Sequence, residues 1–168
     1  MNQFNWKDWY SKARVKEPYI LQEKELMEII KKECVIIGDV LDVGCGDGRF
    51  AKHFYQWQYW GIDKNYNEFD LLNEEDWNSI DSKFDLCFTS LVLMLFNEVA
   101  AKQIFQKMLN LGKIVLLYEE NIEDREGNYV EGKYFHDYAN WDKLKLIKKG
   151  ISTINPAWKW YLFKGNQK

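Results

Sequence analysis

The stretch "VLDVGCGDGRF", Val40 to Phe50, decides how the rest of the chain is read. A short run, Asp39 to Val43, ends at Gly44, and glycines recur at 46 and 48. An apolar run followed by such a loop reads as a strand turning sharply into a helix. Gly44 permits the turn, Gly46 lets a ligand lie on bare backbone, and Gly48 lets the next helix pack closely on the strand. That helix is expected near residues 48–55, with unpaired N–H groups that favour an anion. Two details restrict the ligand. The spacing is G-x-G-x-G, so the third glycine comes one residue earlier than in the dinucleotide fingerprint, and Arg49 stands where that fingerprint wants a small residue. Asp42 puts a carboxylate at the strand end, where it would repel a pyrophosphate and attract an ammonium or sulfonium group. Both details argue against a nicotinamide-dependent oxidoreductase.

Outward from the loop, short apolar runs alternate with amphipathic or polar segments. Strands are expected at 39–43, 57–62, 68–70, 84–89, 112–118, 144–149 and 157–163, with helices near 48–55, 75–80, 97–110 and 137–142. Alternation of this kind predicts an α/β fold with a mostly parallel sheet covered on both faces. The last two runs, "KLIKKGIS" and "WKWYLFK", are joined too closely for a helix and should pair antiparallel. "YWGIDK" places Asp63 at the end of the second strand, where an acid can accept both hydroxyls of a ribose. Upstream, Phe4, Trp6, Trp9, Tyr10 and Ala13 fall near one helical face. Pro18 opens a second helical pattern with Ile20, Leu21, Leu26, Met27, Ile29 and Ile30.

The 168 residues suit a single domain, with residues 1–34 as an N-terminal helical cap and 39–168 as the ligand-binding core. No segment is apolar and uncharged for long enough to span a bilayer, and the N-terminus has no signal-peptide core, so a soluble cytoplasmic protein is expected. Three widely spaced cysteines and two histidines predict neither a disulfide framework nor a metal site. A net charge of −3 with mixed signs argues against nucleic acid as partner.

The loop and its sequel resemble the class I S-adenosylmethionine-dependent methyltransferases, from about Val40 onward. "VLDVGCGDGRF" is similar to their first motif and "GIDK" to their second. The resemblance implies a three-layer Rossmann-like domain with a seven-stranded sheet whose last strand is antiparallel. It implies S-adenosylmethionine as cofactor and S-adenosylhomocysteine as product. Gly44, Cys45 and Gly46 would line the methionine part, Asp42 would sit near its amino group and Asp63 would hold the ribose. In "FDLLN", Asp70 or the backbone of Leu71 would meet the adenine. In "FDLCFTSLVLML", Thr89 and Ser90 would wall the methyl pocket. The chain departs from the DNA-base enzymes: residues 89–92 are Thr-Ser-Leu-Val, and neither proline, Pro18 nor Pro156, precedes a cysteine.

A sulfonium methyl is already a strong electrophile, so alignment and exclusion of water can carry much of the rate. A base is needed only for a protonated acceptor. Glu119 and Glu120 follow the fifth strand at the pocket end, and His136 lies in "YFHDY" after a polar loop, Asn121 to Lys133. Trp6, Trp9 and Tyr10 are candidates for the acceptor wall, or for plain packing on the sheet. A small-molecule acceptor, methylated on oxygen or nitrogen, is the leading expectation. The alternatives are a cofactor-binding partner protein without turnover and an enzyme acting on a protein side chain.

Overall fold

The computed structural model describes Lys12, residues 16–63, Trp77, residues 80–121, Tyr129, Val130 and residues 132–167. The expected strand at 68–70, the aromatic N-terminal face and most of the expected helix at 75–80 lie outside them. A helix, α1, covers Glu17–Glu33. Pro18 sits in its first turn, where its missing N–H would find no partner anyway. Glu17 at the start and Lys31 and Lys32 at the end oppose the ends of the helix dipole. Gln22, Leu26, Met27 and Ile30 form its buried face.

The main sheet holds β1 (Asp39–Val43), β2 (Gln58–Ile62), β3 (Phe84–Ser90), β4 (Gly112–Glu120), β7 (Leu146–Ile151) and β8 (Trp158–Lys164). Their spatial order is β2-β1-β3-β4-β8-β7, so the chain reverses its direction of travel between β1 and β3. Ligands of open α/β sheets bind at such a switch point, beyond the carboxyl ends of the strands. β1 to β4 pair in parallel, and β8 runs antiparallel to both its neighbours, as expected of the last strand. A register shift between Leu146 and Lys148 breaks the pairing of β7 with β8. A second helix, α2 (Glu98–Leu111), is capped by the Asn97 side chain, which accepts from the Ala100 N–H at 3.0 Å.

Strand alternation sorts the core into two layers. Val40, Leu86, Phe88, Leu116, Tyr118 and Leu162 face α1 together with Phe50 and Phe54. Leu41, Cys87, Val115, Leu117 and Phe163 face α2 through Phe105 and Met108. Polar ties hold α1 in register. Glu25 accepts from the Tyr118 hydroxyl at 2.6 Å, from Ser152 Oγ at 2.5 Å and from the Thr153 N–H and hydroxyl at 2.6 and 2.7 Å. Glu23 meets Lys52 and His53, each at 2.6 Å. Among the described residues, no helix is long and apolar enough to cross a membrane.

Three expectations need correction. Residues 48–55 form no α-helix; turns lead into a 3₁₀ turn at Ala51–His53. Residues 44–57 must return the chain along the whole of β1, and a 3₁₀ turn advances about 2.0 Å per residue against 1.5 Å. The helix N-terminus expected to attract an anion is therefore absent here. The helix expected at 137–142 is likewise a 3₁₀ turn, Tyr138–Asn140. Within the polar loop, β5 (Tyr129–Val130) and β6 (Lys133–Tyr134) pair as a small hairpin, closed by Gly132 at φ 83°.

Candidate functional site

The site forms where β1, β2 and β3 end together. The N–H groups of Gly44 and Cys45 both donate to the Ile62 carbonyl, at 2.7 and 3.0 Å, which folds the glycine turn over the end of β2. Gly44, Gly46 and Gly48 have φ of 78°, 57° and 72°. L-residues rarely enter that region, which explains the glycines without a ligand. Gly44 has a second reason. A Cβ built there would lie 2.4 Å from Cγ2 of Val92, so the loop after β3 packs directly on the turn. The Gly46 N–H donates to Asp63 Oδ2 at 2.9 Å, which ties the second expected cofactor ligand to the first motif.

Asp42 is only 1% exposed and accepts a hydrogen bond from the Tyr59 hydroxyl at 2.7 Å. Burial pushes its carboxyl up to about 7, and Asp63 nearby adds to the rise, while Tyr59 and Arg49 oppose it. Cys45 is buried beside it, and burial and the neighbouring acids push its thiol far above the usual range. Its side chain lines the turn.

Arg49 reaches across the end of β3. Its Nη2 donates to Gln22 Oε1 at 2.6 Å and to Ser90 Oγ at 3.2 Å, and Gln22 Nε2 donates to Ser90 Oγ at 2.5 Å. This group joins α1, the glycine turn and β3. The sequence carried a sign of it: Gln22 is a polar residue on the same helical face as Leu26 and Ile30. Tyr59, Val92 and Gln22 are the site residues that sequence reasoning missed.

Thr89 and Glu119 meet beneath this wall. Thr89 Oγ1 donates to Glu119 Oε1 at 2.7 Å, and the N–H groups of Val92 and Met94 donate to the same carboxyl at 3.2 and 3.4 Å. Burial pushes Glu119 up to about 7 against these hydrogen bonds. Glu119 thus fastens the segment after β3, in which Leu91 takes the left-handed φ of 60°. His136 is buried, and its Nε2 donates to the Phe96 carbonyl at 3.0 Å. Its ring lies among Tyr134, Tyr138 and Trp141, with centroids at 6.2, 5.4 and 5.3 Å. Burial holds His136 below the usual histidine range, although the backbone of Phe96 and Leu93 opposes the shift. Glu120 forms an ion pair with Lys133 at 2.6 Å. Asp70, Leu71, Trp6, Trp9 and Tyr10 lie outside the described residues.

A strand switch point, a positive-φ glycine turn and two acids at successive strand ends make the cofactor end of an open α/β sheet. A family model for the methyltransferase domain matches residues 17–148, and the chain belongs to that family. Among curated proteins no sequence match is found. Solved structures agree on the fold. An S-adenosylmethionine-dependent methyltransferase from Clostridium acetobutylicum ATCC 824 superposes with a TM-score of 0.64 at 13% identity, over 97% of this chain and 100% of that one. The N-methyltransferase NodS from Bradyrhizobium japonicum WM9, in complex with S-adenosylhomocysteine, gives 0.68 at 11% identity, over 93% and 91%. Magnesium protoporphyrin IX methyltransferase from Synechocystis PCC 6803, with the same compound bound, gives 0.63 at 12% identity, over 97% and 88%.

Proposed function

We propose that this chain transfers a methyl group from S-adenosylmethionine to the oxygen or nitrogen of a small molecule, in the cytoplasm, and releases S-adenosylhomocysteine. The observation that carries this reading is the buried Asp42 carboxyl under the glycine turn. The donor set fits the cofactor: a buried acid with a neutral phenol as its hydrogen-bond donor suits an ammonium group, and Asp63 suits a ribose diol. Asp42 would hold the amino group and Asp63 the ribose hydroxyls. Gly44, Cys45 and Gly46 would border the methionine end, Asp70 or the backbone of Leu71 would meet the adenine, and Thr89 and Ser90 would wall the transfer site. When bound, the cofactor supplies an electrophilic methyl group. The protein's part is then alignment and exclusion of water, and orientation alone supplies roughly 7–11 kcal/mol in such reactions.

Proton removal from the acceptor falls to Glu120 in this reading. Glu119 and His136 are both turned inward onto the segment 92–96, and we assign them to holding it in place. Trp6, Trp9 and Tyr10 keep their proposed place on the acceptor side. The named acceptor of magnesium protoporphyrin IX methyltransferase is a small molecule, which supports a small acceptor here.

Binding is tested by thermal denaturation. S-adenosylhomocysteine at about 100 times its dissociation constant should add roughly 2.7 kcal/mol, or several degrees for a domain of this size, and NAD should add nothing. Stabilisation by NAD alone would overturn the cofactor. Turnover is tested with a labelled methyl group against a metabolite extract; a labelled protein product in place of a small one would move the acceptor class.

The state of Asp42 gives a pH test. Below its raised value near 7, binding a cation must first expel a proton. The ligand's own α-amino group loses its charge above roughly 8. Affinity for S-adenosylhomocysteine should therefore peak between about pH 7 and 8 and fall up to tenfold per unit towards acid. Calorimetry on Asp42→Asn should show weak binding without the acid limb. An acid limb that survives in the variant would assign the titration to another group.

A further inference from the structure

Ser90 ends β3, half-buried at the carboxyl edge of the sheet. The register sets Asp42 beside Phe88, so Ser90 lies two residues further out on the face that Asp42 shares. Its hydroxyl oxygen is the meeting point of two donors, Gln22 Nε2 at 2.5 Å and Arg49 Nη2 at 3.2 Å. Chemistry fixes the direction of these bonds. A guanidinium only donates, so the Gln22 atom 2.6 Å from Arg49 Nη2 is the amide oxygen, and the amide nitrogen is left to face Ser90. Gln22 is fully buried, which holds the amide in that orientation.

A hydroxyl has two lone pairs and one proton. Both lone pairs of Ser90 are taken, and among the described residues no group accepts its proton. Accepting from an amide and from a cation polarises the O–H and strengthens it as a donor. Ser90 is therefore a donor only, and its proton is left for solvent or for a ligand beyond the strand end. Other donors around it are spent. The N–H groups of Gly44 and Cys45 donate to the Ile62 carbonyl, that of Gly46 to Asp63 and that of Gly48 to the Cys45 carbonyl. After the strand, the Leu91 N–H donates to the Tyr118 carbonyl and the Val92 N–H to Glu119. The turn leads into a 3₁₀ turn, so it offers no α-helix N-terminus either.

The cofactor reading above gives the ammonium group to Asp42 and the ribose to Asp63. The α-carboxylate, borne by the same carbon as the ammonium, still needs a donor. Resting on that reading, we infer that the Ser90 hydroxyl donates to the α-carboxylate of S-adenosylmethionine, and that Gln22 is the positioning residue that aims it. Asp42 and Ser90 then read the two charges of one amino acid from neighbouring strands. A ligand that keeps the nucleoside and lacks the carboxylate loses this contact.

The test is calorimetry on the full chain with two probes: S-adenosylhomocysteine and its decarboxylated analogue, which has a hydrogen in place of the carboxylate. The parent should bind the first at least about tenfold more tightly, as expected for a hydrogen bond to a charged group. Ser90→Ala should lose most of that preference while binding the analogue within about twofold of the parent, and Ser90→Thr should keep it. Gln22→Glu is the sharper variant. It keeps the length of the side chain and the bond from Arg49, but puts an acceptor where Nε2 was a donor. The Ser90 proton should turn to the new carboxylate, and the preference should fall as in Ser90→Ala. The double variant should lose no more than either single change, which bare repulsion between carboxylates would not give. Each preference compares two ligands on one variant, so a general loss of stability cancels. A parent that binds both probes alike, or variants that weaken both alike, would overturn the inference and leave the cofactor assignment standing. A parent that binds neither probe would remove the methyl-transfer reading, and this inference with it.

Discussion

Glu119→Ala should lower the melting temperature by roughly 10 °C and lower cofactor affinity along with it. The substitution strands the Thr89 hydroxyl and the N–H groups of Val92 and Met94, all of which now donate to this carboxyl. Each buried group left unpaired costs roughly 1–3 kcal/mol. A total of about 3 kcal/mol corresponds to a shift of several to about a dozen degrees at this chain length. The sign of the pH effect follows from burial. Glu119 is raised to about 7, above its unfolded value, so its contribution to stability is complete in acid and fades as the pH rises through 7. The gap between parent and variant should be widest near pH 5 and smaller at pH 8. Urea midpoints at both values measure it. A catalytic base would behave otherwise: the variant would melt like the parent, bind cofactor normally and lose only turnover.

Gly44→Ala should abolish measurable cofactor binding and destabilise the fold by about 2–5 kcal/mol. Two costs combine. The φ of 78° penalises any Cβ by roughly 1–2 kcal/mol. The new methyl would also sit 2.4 Å from Val92 Cγ2 and 2.6 Å from Cγ1, and overpacking costs typically 1–3 kcal/mol. Val92 cannot swing clear: its side chain is β-branched and stiff, and its N–H is held by Glu119. The double variant Gly44→Ala, Val92→Ala separates the two terms. It should recover the packing part, about half of the lost stability, and keep the conformational part. Full recovery would mean that the backbone tolerates alanine; no recovery would mean that Val92 is not the obstacle.

How far the sequence could be read depended on the range of the interaction. β1, β3 and β4 were legible because each is a short, nearly continuous apolar run, which a sheet covered on both faces requires. The β7–β8 hairpin was legible because no helix fits between its strands. Asp42 and Asp63 were legible because their places follow from strand ends and glycine spacing alone. The helix expected after Gly48 failed because the length of chain needed to return along β1 outweighed local pattern. Glu119, Glu120 and His136 were correctly set near the carboxyl edge, yet their directions depended on distant partners. Glu119 turns to residues 89–94 and His136 to Phe96, contacts that no periodicity announces. The aromatic spacing Tyr134, His136, Tyr138 and Trp141 was the available sign that the histidine sits in a cage. Gln22 showed in the helical pattern as a polar break in an apolar stripe, but nothing near it in sequence named Arg49 and Ser90.

The register shift in β7 has a bearing on how the protein behaves in solution. Among the described residues no strand pairs with the outer side of β7, and Ile147 and Ile151 are more than half exposed there. An edge of this kind invites strand addition. Two features discourage it: the irregularity between Leu146 and Lys148 distorts the edge, and Lys149 would bring like charges together in any copy that paired with it. The positive charge on this strand thus guards against self-association, and a chain stripped of it would be expected to aggregate sooner on storage at high concentration.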